Sequence, residues 1–64
     1  MKIAANLLIQ TATDRSWRVA EAVSGLEGVK MVHVMTGLYD VVAYVEVADP
    51  KTLLDLVNKI HAIE

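Results

Sequence analysis

The 64-residue sequence predicts one α+β layer, an antiparallel sheet with two helices on one face, and three observations predict it. Three short stretches are rich in aliphatic and β-branched residues. Two others space their apolar residues three and four apart. The stretches alternate as strand, helix, strand, strand, helix, with Gly, Asp, Thr and Pro between them.

Ile3 to Gln10 reads as the first strand, so continuously apolar that burial on both faces is expected. Thr11 to Asp14 supplies N-cap residue types, with Asp14 as a cap. A helix follows to Ser24, with Trp17, Val19, Ala20, Val23 and nearby Leu26 at helical spacing and Arg15, Arg18 and Glu21 mostly opposite. Gly25 and Gly28 bracket its stop, and either can take the positive φ of a helix end. Val29 to Met35 is the second strand. Thr36 to Tyr39 is a turn, with Gly37 first in the central pair as a type II′ hairpin prefers. From Asp40 to Val47 one alternate set is Val41, Ala43, Val45 and Val47, and the other is Asp40, Val42, Tyr44 and Glu46. Either set can face the helices. Asp49 and Pro50 open the second helix as N-cap and first helical residue. Its buried stripe is Leu53, Leu56, Val57 and Ile60, with Asp55 and Lys59 four apart on the wet side.

This β-α-β-β-α order suits a ferredoxin-like (βαββαβ) sandwich whose final strand is missing or supplied elsewhere. All three strands are apolar on both sides, and the helices cover one face. The other face needs a cover, and a second subunit is the simplest. Composition leads to the same place. Residues 1–64 make one thin-cored domain, 55% hydrophobic, with no cysteine to staple it. Burial is then completed by self-association.

Net charge is −2, with six Lys and Arg against eight Asp and Glu, so no basic stripe predicts direct nucleic-acid binding. No apolar run is long enough to span a membrane, and no leader pattern opens the chain, so the expected location is cytoplasmic. His33 and His61 sit on different elements without Cys or carboxylate at ligand spacing, so no metal is expected. No catalytic triad, phosphate loop or dinucleotide fingerprint is present, and no cofactor or catalytic residue is assigned. Trp17, Met31 and Met35 read as core or interface filling.

Gly28-Val29, Val32, Thr36-Gly37-Leu38-Tyr39-Asp40-Val41 and Val45 together resemble the effector-binding domain of the Lrp/AsnC (feast/famine) transcription regulators. Asp49 and the Leu53, Leu56-Val57, Ile60, Ile63 helix fit the same pattern, so the resemblance runs from Ala5 to Ile63. Met35 stands where valine is usual, and the family's last strand and its threonines have no counterpart here. The resemblance implies a ferredoxin-like domain that dimerises through its sheet, with dimers assembling into larger oligomers. It also implies a small-molecule effector, typically an amino acid, bound near Thr36, Gly37, Leu38, Tyr39 and Asp40. Because the chain starts at its first strand, it looks like a version without the DNA-binding half, able to co-assemble with full-length relatives.

Each residue of that segment has two readings. Gly37 leaves backbone N–H groups open to a carboxylate, or is a hairpin glycine chosen for positive φ. Asp40 accepts from a ligand ammonium, or bonds its own turn. Tyr39 walls a pocket, or fills a subunit contact. Thr36 orients a carboxylate, or is an ordinary strand residue. The functions to weigh are an effector sensor, a purely structural oligomerisation module, and, less favoured, a dimeric ferredoxin-like enzyme. An amino-acid-binding domain of the ACT type shares the fold class, and the Thr-Gly-x-Tyr-Asp hairpin argues against it.

Overall fold

Val41, Ala43 and Val45 have no exposed surface, and Val47 is nearly as deep, so one face of the third strand forms the floor of the core. The computed structural model describes residues 2–36 and 40–63, and of Thr13 the backbone alone. The elements are β1 (Ile3–Ile9), a 3-10 turn (Thr13–Arg15), α1 (Ser16–Ser24), β2 (Val29–Val34), β3 (Val41–Val47) and α2 (Pro50–Ile63). The sheet order is β1-β3-β2, antiparallel at both pairings. β1 and β2 therefore run parallel, and α1 carries the chain between them over β3. This is the split crossover of the ferredoxin-like fold, as the sequence predicts.

The alternation left open by the sequence is settled by β3. Its odd-numbered set packs under Val19, Ala20 and Val23 of α1 and Leu56 and Ile60 of α2. In α2 the expected stripe holds: Leu56 and Ile60 are buried, Leu53 and Val57 half-buried, Asp55 and Lys59 exposed. In α1 the stripe is Ser16, Val19, Ala20 and Val23. That set excludes Trp17, which is 78% exposed. The expectation that Trp17 helps fill the core is corrected by phase: it lies one residue, about 100°, off the buried line.

Two further expectations change. β1 is not buried on both faces, because Leu8 is 55% exposed while Ile9, on the helix side, is buried. Both helices lie on the other side, so β1's apolar residues exceed what one copy can cover. Asp14 is not the cap of α1. It falls inside the 3-10 turn, and Arg15 is the N-cap with no side-chain capping bond. Asp49 is a true cap: its Oδ1 accepts from the Thr52 backbone N–H at 2.8 Å and from the Thr52 hydroxyl at 2.7 Å. The Thr52 N–H, first, and its hydroxyl hold the Asp49 carboxyl below its ordinary value.

The two glycines after α1 do different work. Gly25 caps the helix in a right-handed conformation (φ −84). Gly28 takes the positive φ, +97, where the chain turns into β2. A Cβ at Gly28 would lie 3.2 Å from Val47 Cγ1 and 3.4 Å from the Glu46 carbonyl oxygen. Gly28→Ala should therefore destabilise by about 1–3 kcal/mol in urea unfolding, from backbone strain plus crowding. Gly25→Ala, whose Cβ would meet only the Ala22 carbonyl oxygen at 3.6 Å, should be neutral or slightly stabilising.

Asp49 gives a pH signature. Its folded pKa is depressed, so its contribution is present above the ordinary value of 3.8 and lost as pH falls through the folded pKa. Asp49→Ala should lower Tm by roughly 5 °C at neutral pH, and the gap to the parent should narrow as the pH is taken below 3.8 into strong acid. A gap unchanged in strong acid would show that the carboxylate charge is irrelevant to the cap.

Candidate functional site

The β2–β3 connection is the first place to look. Val34 pairs with Val41, and the Met35 N–H donates to the Asp40 carbonyl oxygen at 2.7 Å. The flanks are thus in antiparallel register right up to the loop. Thr36 is exposed and Asp40 half-buried. Gly37, Leu38 and Tyr39 lie outside the described residues, and with them the expected type II′ geometry.

Asp40 does something neither sequence reading foresaw. Its Oδ2 accepts from the Thr11 backbone N–H at 3.1 Å, and its own N–H donates to the Ile9 carbonyl oxygen at 3.2 Å. It ties the start of β3 to the segment leaving β1, 29 residues away in sequence. No local motif signals this. Only the antiparallel β1–β3 register, with Ile9 opposite Val41, brings the two segments together. Thr36 and Asp40 are the two assigned residues whose places are described, and both stand at this end of the sheet.

The second feature is the helix-free face of the sheet. Leu8, Met31 and Met35 expose half or more of their surface on it. Met31 and Met35 therefore belong to the open face and not to the core. Across it, Asn6 and Met31 flank Tyr44, while Leu8 and His33 flank Val42. The Tyr44 hydroxyl donates to Glu46 Oε2 at 3.1 Å. That bond, then partial burial, then the Glu46 charge raise the Tyr44 pKa.

His33 lies on this open face, on β2, and His61 near the end of α2. Among the described residues no three His, Cys, Asp or Glu groups converge to hold a metal. A shallow cleft of about 640 Å³ runs between α1 and β2, walled by Trp17, Arg18, Glu21, Ser24 and His33. A second, of about 360 Å³, follows the outer edge of β1. Neither is lined by Thr36 or Asp40. No described helix is long and apolar enough to cross a membrane.

The fold and the open sheet define a small ferredoxin-like α+β domain with one uncovered apolar face. The model of the Lrp/AsnC ligand binding domain family matches residues 5–64, and the chain belongs to that family. Among solved structures it is similar to TTHA0845 from Thermus thermophilus, with a TM-score of 0.84 and 37% identity over 89% of this chain and 71% of that one. It is also similar to the hypothetical protein PHS023 from Pyrococcus horikoshii, with a TM-score of 0.81 and 29% identity over 91% of this chain and 69% of that one. Among proteins with curated descriptions, none matches significantly.

The Asp40–Thr11 bond makes a separable prediction. Asp40→Ala should raise the exchange rate of the Thr11 amide at least tenfold, because its acceptor is gone. Asp40→Asn keeps an acceptor oxygen and should preserve most of the protection. Equal Thr11 exchange in both variants and the parent would show that the bond does not hold the segment.

Proposed function

We propose that this chain is an effector-binding and oligomerisation domain of an Lrp/AsnC-like transcription regulator. It is regulatory and not an enzyme, and it works in the cytoplasm. Residues 1–64 act as one unit that dimerises through the open sheet face, assembles further, and binds a small molecule, an amino acid, at Thr36 to Asp40. Co-assembly with full-length relatives would convey the signal to DNA.

Membership of a ligand-binding domain family supports the sensing role. The observation that supports self-association is the open face itself. Leu8, Met31 and Met35 stand on it at 55%, 55% and 50% exposure. A compact monomer of this mass has about 4,000 Å² of accessible surface, and this chain has 4539 Å². A second copy laid on that face removes the exposed apolar side chains from water without using the helices. The hairpin end lies at the rim of the same sheet, which suits a site walled by more than one copy.

One combined measurement tests this. Size exclusion with light scattering should give a dimer or larger species, and Met31→Lys, at an exposed position, should shift it toward monomer without unfolding it. Thermal melts with each of the twenty amino acids should raise Tm for at least one. At 100 times its Kd such a ligand adds about 2.7 kcal/mol, several degrees for a domain this small. A parent that is already monomeric sinks the assembly reading. Melts unmoved by every amino acid at millimolar concentration sink the sensing reading.

A further inference from the structure

The open side of β2 carries a row of soft donor atoms. Met31, His33 and Met35 stand at alternate positions, so their side chains leave the same face of the sheet. The 2.7 Å bond from the Met35 N–H to the Asp40 carbonyl oxygen carries the ladder one residue past Val34, which keeps Met35 in phase. Met31 and Met35 expose half or more of their surface, and His33 is exposed as well. Opposite them on β3 stand Tyr44, Val42 and Asp40. The two carboxylates that β3 places on this face have other partners: Glu46 accepts from the Tyr44 hydroxyl, and Asp40 from the Thr11 N–H. The row itself is two neutral thioethers with one imidazole between them.

That donor set selects its ion. Hard cations need carboxylate and carbonyl oxygens, and a zinc site needs thiolates, several imidazoles or carboxylates. Thioethers are soft donors and suit copper(I). A neutral pair of donors suits a monovalent ion better than a divalent one, because no ligand charge is needed to offset it. The spacing fits as well. Alternate residues of an antiparallel strand lie about 6.8 Å apart, and two donors on opposite sides of one ion lie roughly 4 Å apart. The three rotatable bonds of a methionine close that difference. His33 has a methionine on each side, so its imidazole has two thioether partners within reach, one at a time.

We propose that Met31, His33 and Met35 form a binding site for a soft monovalent cation, copper(I), held between the His33 imidazole and a flanking thioether. The search for a metal among His, Cys, Asp and Glu passes over this row, because two of its three donors are methionines. His61 makes the contrast: α2 carries no methionine beside it. β2 is an edge strand, so the row stands at the margin of the open face and not at its centre. An ion reaches it from the side of the sheet. The inference does not rest on the sheet-face reading above.

The probe is silver(I) nitrate in chloride-free buffer, a redox-stable stand-in for copper(I). It is added to the 64-residue chain labelled at its methionine methyls and histidine rings, and followed by NMR. Shifts are expected at the Met31 and Met35 methyls and the His33 ring, saturating at one ion per chain, while the Met1 methyl and the His61 ring stay unmoved. The double variant Met31→Leu, Met35→Leu keeps the volume and the apolar face and should bind about tenfold more weakly or worse. His33→Gln should lose as much, because the two thioethers alone lie too far apart to share an ion. Zinc(II) should leave the methyls where they are. No saturable shift at millimolar silver overturns the proposal. So do equal responses at Met1 and His61, or full binding by either variant. The Leu pair leaves the open face apolar, so a failure here and a monomeric parent are separate results.

Discussion

Burying one face of β3 is the constraint from which the remaining structure follows. Val41, Ala43, Val45 and Val47 lie side by side along it, and each of the valines is worth on the order of 2 kcal/mol when taken out of water. A strand cannot bury that row alone. It needs neighbours on both sides to complete its backbone bonds, and β1 and β2 supply them. It also needs a lid, and the stripes of α1 and α2 supply that. Ala43, opposite Leu7 and Val32, is the small residue of the row, set among larger aliphatic neighbours.

That arrangement fixes what stays uncovered. Once both helices are on one face, the even-numbered residues of β3 and their neighbours on β1 and β2 meet only what lies outside the chain. Once β3 is central, β1 and β2 become edges. The open face and the β1 edge are two geometrically separate consequences of one core. The chain answers the edge problem at β2, with the shifted register and Lys30, and leaves β1 plain.

Element order, the alternation of β3 and the α2 stripe were legible because each rests on local pattern: period two in β3, spacing of three and four in α2, Asp-Pro at its start. Other features depend on packing that no local pattern encodes. Trp17 sits at plausible helical spacing, yet buried Ser16 takes the place that hydrophobicity alone would give it. Asp14 has the right residue type for a cap, but the 3-10 turn moves the true helix start past it. Gly25 and Gly28 look equivalent in sequence; the approach of Val47 and Glu46 separates them. Of the candidate site, the sequence marks the segment by resemblance and by the hairpin glycine. The cross-strand role of Asp40 was hidden because its partner, Thr11, is 29 residues away.

That partnership changes how Asp40 should be weighed. A structural aspartate and a ligand-binding aspartate are usually offered as alternatives, but a carboxylate has two oxygens and about four lone-pair sites. The Thr11 N–H occupies one site on Oδ2. Asp40's own backbone is meanwhile held from both sides, by Ile9 through its N–H and by Met35 through its carbonyl. The side chain is anchored at a strand start, and it is half-buried. Such fixing lowers the entropy lost when an ammonium or hydroxyl donor approaches the remaining sites. The bond to Thr11 therefore does not count against a ligand at Asp40.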